Sequence, residues 1–88
     1  MSRFNKKYLN DKKLKNGKQL LAQRKDKEAE KIFLECYNFF DEEHLIVEKL
    51  DTIRNLIEIY LNLSDYESAD FYLKIYELES KEHMILKP

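Results

Sequence analysis

The side chains best suited to chemistry in this sequence are one cysteine and two histidines, Cys36, His44 and His83. A zinc site needs several Cys or His ligands at short spacing, and these three do not provide it. Cys36 lies on an apolar helical stripe, where a packing role is the ordinary one. The many carboxylates sit at predicted helix ends, as on a solvated surface. A chain with one glycine cannot build a phosphate-binding loop. We therefore predict no enzymatic activity, no metal and no other cofactor.

Charge is distributed unevenly along the chain. Residues 1–27 carry ten Lys or Arg and two acids, and residues 28–88 carry six and fifteen, so the net charges are +8 and −9. This split suits head-to-tail self-association, an acidic partner or nucleic acid, or else the charges only face each other inside the fold. Phe4 and Tyr8 lie among the N-terminal lysines and suit contacts with phosphates and bases. The acidic remainder would repel nucleic acid, so this alternative ranks behind a protein partner.

The elements that position these residues are predicted to be helices. The composition is 43% hydrophobic with a single Gly and a single Pro, whereas β hairpins call on Gly, Asn and Pro at their turns. Apolar residues recur at steps of three and four, which is the helical period. The pattern predicts an all-α fold with helices at about residues 10–23, 27–40, 43–63 and 66–81. Ser64 with Glu67 fits a capping box, Asp26 is expected to cap the second helix, and Asp41 or its neighbours are expected to cap the third.

An internal repeat is visible when the second half is moved onto the first by forty residues. The register aligns Gly17 with Ile57, Leu20 with Tyr60, Ala29 with Ala69, Phe33 with Leu73, and Cys36 with Tyr76. It predicts one domain, 1–88, with repeat one at about 10–40, repeat two at about 43–81, a basic lead-in at 1–9 and an apolar tail at 82–88. The small residues permit close approach of the paired helices. The aligned positions Phe33, Tyr60, Leu73 and Tyr76 are predicted packing residues.

The second unit carries a recognisable motif. Ile53, Leu56, Ile57 and Tyr60, followed by Ala69 and Leu73, resemble the tetratricopeptide signature of stacked helical hairpins. The forty-residue period and the run Arg54-Asn55-Leu56 are similar to the repeats of Rap phosphatases and related peptide-sensing regulators of Gram-positive bacteria. The resemblance implies that Asn55 contacts the backbone of a bound peptide. Complete members of that family have many more repeats and an effector domain, so their phosphatase or DNA-binding activity is not implied.

The function predicted from these features is a non-catalytic module that binds another protein or a peptide, as a small adaptor or inhibitor of a larger regulator. Its binding face is predicted to be concave, because the first helix of each hairpin lines one side of the stack. The residues expected there are Lys18, Leu21, Arg54, Asn55, Glu58, Leu61 and Asn62. Asparagine amides can donate and accept hydrogen bonds with an extended backbone, and Lys18 and Arg54 can hold carboxylates. Three alternatives stay open. The chain is a homo-oligomer, it binds nucleic acid through the N-terminal segment, or the groove is an ordinary solvated surface that binds no partner.

Location and assembly are predicted from what the chain contains. A lone cysteine, the absence of a secretory signal and the absence of a long apolar run favour a cytoplasmic protein without a membrane partner. Repeat arrays generally need three or more units and polar capping helices, whereas this sequence shows two units and no obvious cap. Tyr72, Tyr76 and the apolar run Met84-Ile85-Leu86 are expected to form an exposed patch. We therefore predict a homodimer.

Overall fold

The computed structural model of this chain describes residues 3–83, which form four helices and contain no strand. In chain order these are α1 (Arg3–Ala22), α2 (Asp26–Glu42), α3 (Ile46–Asn62) and α4 (Tyr66–His83). Each helix packs against the next one along the chain, and α1 also contacts α3. The hairpin α1–α2 is therefore stacked on the hairpin α3–α4. This arrangement confirms the predicted all-α fold of two stacked helical hairpins.

The helix boundaries differ from the predicted ones at both ends of the chain. Helix α1 begins at Arg3 rather than near residue 10, so most of the predicted lead-in is helical. An ion pair between Lys7 and Asp11, with 2.8 Å between Nζ and Oδ2, supports this first part of the helix. Helix α4 continues to His83, and Met84-Ile85-Leu86 lies outside the described residues.

The three turns between the helices share one backbone conformation. Arg24, His44 and Ser64 have φ angles of 64°, 56° and 58°, in the left-handed region. The N–H of Arg24 donates to the carbonyl of Leu21, and the N–H of Lys25 donates to the carbonyl of Leu20. Corresponding bonds recur in the other two turns, and together they form the Schellman motif that ends many helices. The structural unit is therefore one helix and one turn, and the helices α2, α3 and α4 start twenty residues apart.

The predicted helix caps were wrong, because α2 and α3 start after Lys25 and Leu45, which make no side-chain cap, and α4 starts two residues after Ser64. Ser64 is the left-handed residue of its turn, and the side chain of Asp65 accepts from the N–H of Ser68 at 3.2 Å. This hydrogen bond lowers the pKa of Asp65. Asp26 is the first residue of α2, and no side chain caps that helix. Asp41 lies within α2 and forms an ion pair with Lys49.

The core becomes clear when the helices are aligned by their twenty-residue spacing. One stripe of four positions is at most 6% exposed in both inner helices. It comprises Ala29, Phe33, Cys36 and Phe40 in α2, and Lys49, Ile53, Leu56 and Tyr60 in α3. The same stripe reads Leu9, Lys13, Asn16 and Leu20 in α1, and Ala69, Leu73, Tyr76 and Ser80 in α4. The inner helices thus supply most of the core, because they are covered on two sides.

Phe33 and Leu73 share a position in both registers, yet their environments differ. Phe33 is 0% exposed, and a Cβ atom built on Gly17 would lie 2.8 Å from its Cε1 atom. Gly17 therefore lets α1 approach this ring closely. Leu73 is 43% exposed, so the prediction that it is a core residue was wrong. The physical reason is that no further helix covers α4 within the described residues.

Helix α4 carries a charged stripe at the place where a further helix would pack. In α1 the positions Asn10, Leu14, Gly17 and Leu21 face α2, and the two leucines there are 8% and 7% exposed. The aligned positions of α4 are Asp70, Lys74, Glu77 and Lys81, and all four are exposed. Charged residues of this kind form the polar outer face of a terminal helix in repeat arrays. This stripe of α4 therefore resembles the polar face of a capping helix, although Phe71 and Leu78 on the same helix are exposed apolar residues.

Candidate functional site

The predicted binding face, here called the groove, is the surface where α1 and α3 lie side by side, and ion pairs join the two helices across it. Lys7 Nζ lies 3.2 Å from Glu48 Oε2. Further along the groove, Lys18 Nζ donates to Asp51 Oδ2 at 2.6 Å. Both pairs are partly solvated, so each contributes modestly to stability. They nevertheless show that part of the basic N-terminal charge is balanced by acids of the next hairpin.

Asp51 is the centre of this groove, and the sequence-based prediction missed it. Its carboxylate accepts from Lys18, and its Oδ1 lies 3.5 Å from Arg54 Nη2 and 3.5 Å from Asn55 Nδ2. Asn55 Nδ2 also donates to the backbone carbonyl of Asp51 at 2.8 Å. Asp51 precedes Arg54 and Asn55 by three and four residues, which are the spacings of neighbours on a helix. That spacing was the available signal.

Arg54 connects the groove to the last helix. Its Nη1 donates to the hydroxyl of Tyr76 at 2.9 Å, and its guanidinium lies 5.7 Å from the centre of the same ring. This geometry combines a hydrogen bond with a cation–π contact. Lys18 and Arg54, the two cations expected to hold a ligand's carboxylate, are thus already paired with groups of the chain. A carboxylate ligand would have to compete with Asp51 for them.

The remaining predicted residues divide into accessible and buried ones. Leu21 is 7% exposed and packs in the core beside Leu14. It cannot contact a partner in this structure, because its helical position faces α2. Glu58, Leu61 and Asn62 are exposed on the last two turns of α3, where Leu61 retains 51% of its surface. The structure therefore brings Lys18, Arg54 and Asn55 together around Asp51. The end of α3 beyond them, with Glu58 and Asn62, is exposed to solvent.

Tyr72, which was expected in an exposed patch, contacts other aromatic rings instead. Tyr72 packs edge-on against Tyr37, with ring centres 5.7 Å apart, and stacks on Tyr60 at 5.8 Å. The hydroxyl of Tyr60 donates to Glu30 Oε2 at 2.8 Å. Burial and this hydrogen bond raise the pKa of Tyr60. Phe71 packs edge-on against Tyr72, with ring centres 5.1 Å apart, and is 59% exposed.

Shallow clefts lie outside the groove, among them two beside α1 that were not predicted. One has a volume of about 390 Å³ and is lined by Phe4, Lys7, Phe39, Glu43 and Leu45. The other measures about 450 Å³ and follows α1, where its lining includes Leu9, Lys12 and Lys13. Lys13 Nζ lies 3.6 Å from Glu35 Oε1. Lys7, Lys13 and Lys18 are thus paired within the chain, which reduces the positive charge available to an anionic partner.

Cys36 lies in the core and is in a poor position for chemistry. It is 0% exposed, and its Sγ lies 3.6 Å from the backbone carbonyl of Asn10. Burial raises the pKa of this thiol from 9.0 to about 11. A thiolate is the nucleophilic form of cysteine, so this environment suppresses reactivity. Among residues 3–83, no three His, Cys, Asp or Glu side chains are grouped so that they could hold a metal ion.

The raised pKa of Cys36 predicts a loss of stability in alkaline solution. Below pH 9.0 the thiol is protonated in both states, and as the pH rises towards 11 the unfolded chain loses this proton first. A shift of this size corresponds to about 2–3 kcal/mol. We expect urea unfolding to show that decline between pH 8 and pH 11, and Cys36→Ala to reduce it. An unchanged slope in this variant would mean that other groups cause the decline.

Comparisons with models of protein families, with curated proteins and with solved structures found no match to this chain. The relationship to tetratricopeptide repeats and to Rap-type regulators therefore stays a prediction that rests on the motif residues. Within residues 3–83, no helix combines the length and the apolar character needed to cross a membrane.

Proposed function

We propose that this chain is a non-catalytic, cytoplasmic module that binds an extended segment of another protein or peptide along the groove between α1 and α3. It would act as an adaptor or an inhibitor of a larger regulator. The observation that supports the proposal most is the continuous polar face of α3. One side of that helix carries Arg54, Asn55, Glu58 and Asn62, of which Asn55 is half-buried and the other three are exposed. Lys18 of α1 is joined to this helix by its hydrogen bond to Asp51.

The groove favours recognition by hydrogen bonds over recognition by net charge. Lys7, Lys18 and Arg54 are balanced by Glu48 and Asp51 within it. The side chains of Glu58 and Asn62 supply acceptors and a donor of the kind that an extended backbone requires. Leu61 adds apolar surface beside them, with 51% of its area accessible. We therefore expect the ligand to be an uncharged or mildly basic extended segment, because an acidic one would compete with Asp51.

The proposal is tested by selecting peptides from a random library against the immobilised full chain and measuring their affinities by fluorescence anisotropy. The variant Glu58→Ala/Asn62→Ala removes two hydrogen-bonding side chains from the groove. We expect it to weaken binding by about thirtyfold, since each of the two lost hydrogen bonds contributes about 1 kcal/mol. The matched control is Glu35→Ala/Asn38→Ala, which removes the same residue types from the exposed surface of α2.

The control variant should bind the selected peptides with the affinity of the parent chain. Equal affinity of the groove variant and the parent would contradict the proposal and place peptide binding elsewhere. Far-ultraviolet circular dichroism of each variant separates a lost contact from a lost fold.

A further inference from the structure

Helix α4 presents apolar residues at positions that are polar in every other helix. Aligned by the twenty-residue spacing, three partly or fully exposed positions read Asp11, Lys15 and Lys18 in α1, Lys31, Glu35 and Asn38 in α2, and Asp51, Asn55 and Glu58 in α3. In α4 the same positions are Phe71, Ile75 and Leu78. Phe71 is 59% exposed and Leu78 is 68% exposed, and Ile75 between them is half-buried. An apolar stripe on the exposed surface of a helix is a surface that a partner helix can cover.

The charged stripe beside these apolar residues indicates which partner fits. Asp70, Lys74, Glu77 and Lys81 alternate in sign along the helix. Asp70 and Lys74 form an exposed ion pair, with 3.0 Å between Oδ2 and Nζ. Glu77 and Lys81 form no ion pair with any residue in the range 3–83. From residue 70 to residue 81 the charges are negative, positive, negative and positive. A second copy of the helix that runs in the opposite direction therefore places an opposite charge beside each of them, so the stripe is complementary to itself.

An antiparallel copy of α4 provides this complementarity. A two-fold axis perpendicular to the helix, midway between residues 75 and 76, sets Lys74 opposite Glu77 of the partner subunit. The same axis sets Asp70 opposite Lys81 of the partner subunit. Phe71 then lies close to Leu78 of the partner subunit, so that the apolar stripes cover each other. Two-fold interfaces use the same patch on both subunits, as this pattern requires.

We propose that the chain forms a symmetric dimer through antiparallel contact of the two α4 helices, with Phe71, Ile75 and Leu78 at its centre and the four charges along its side. This surface differs from the one expected from the sequence. Tyr72 contacts Tyr37 and Tyr60, and Tyr76 contacts Arg54, so both rings are engaged within the chain. The proposal is independent of the groove, because Glu58 and Asn62 lie on α3 outside this stripe.

Sedimentation equilibrium of the full chain, from micromolar to millimolar concentration, tests the dimer. We expect a mass of twice 10.7 kDa, and a monomer mass throughout this range overturns the proposal. The variant Leu78→Gln places an amide in the apolar centre twice per dimer and is expected to weaken association by at least about tenfold. The control Val47→Gln alters a side chain that is 69% exposed on α3 and should leave association unchanged.

A charge exchange tests the antiparallel register itself. Lys74→Glu sets two acidic side chains opposite each other on both sides of the axis, and it is expected to weaken association by at least about tenfold, more at low salt. Adding Glu77→Lys should restore the parent's dissociation constant, because the exchanged charges are again complementary. Lys31→Glu, the same change on α2, should have no effect. A dimer that Leu78→Gln and Lys74→Glu leave unaltered, or that the exchange fails to restore, overturns this interface.

Discussion

Replacing Phe33 with alanine is expected to lower the free energy of unfolding by about 3–5 kcal/mol, as for other fully buried aromatic residues. Phe33 is 0% exposed, and its ring lies against Gly17 of α1. Removing the ring leaves a cavity between α1 and α2, the two helices of the first hairpin. For a domain of this size such a loss is a large part of the total stability. Urea unfolding followed by far-ultraviolet circular dichroism measures the effect.

The chain contains the matched control at the equivalent position of the second repeat. Leu73 occupies the place of Phe33 in the forty-residue register, but it is 43% exposed. We expect Leu73→Ala to cost about 1 kcal/mol or less, since much of this side chain gains no burial on folding. Similar losses for both variants would show that the two hairpins pack equivalently in solution, contrary to the structure.

The second large effect is expected at Lys49, a charged residue in the core. Lys49 is 4% exposed, and its ammonium lies between the carboxylates of Asp41 and Glu79. Burial alone would lower the pKa of Lys49, but hydrogen bonds to the two carboxylates outweigh burial and raise the pKa. The double variant Asp41→Asn/Glu79→Gln leaves the ammonium buried without a counter-charge. We expect it to lower the free energy of unfolding at pH 7 by about 3–5 kcal/mol.

A third substitution separates the charge from the shape of this cluster. Adding Lys49→Met to the double variant removes the buried ammonium and keeps a long, flexible side chain. We expect it to recover most of the lost stability, because well-packed apolar residues often replace buried ion pairs at little cost. A double variant as stable as the parent would mean that the ammonium reaches water in solution.

The cluster also has a defined pH dependence. Because folding raises the pKa of Lys49 above its ordinary 10.5, its ion pairs stabilise the fold fully below that pH. The contribution is lost as the pH rises through the higher value of the folded state. This loss adds to the decline expected from Cys36, which begins at lower pH.

The sequence by itself determined the secondary structure and the repeat. Apolar residues at steps of three and four, with one Gly and one Pro in the chain, leave few alternatives to helices joined by polar turns. The forty-residue register correctly paired Ala29 with Ala69, and both are buried. These features depend on local periodicity and on side-chain size, so they can be read without knowledge of the neighbours in space.

Only the tertiary structure decided which face of each helix is covered. Leu21 is buried against α2, Leu73 is partly exposed at the edge of the stack, and Lys49 takes the core position that Ala29 and Ala69 hold in the adjacent helices. Asp51 became the centre of the groove because α1 brings Lys18 to it across the hairpin boundary. The physical reason is the same in each case. A helix in the middle of a short stack is covered on two sides and a terminal helix on one, so identical patterns have different burial.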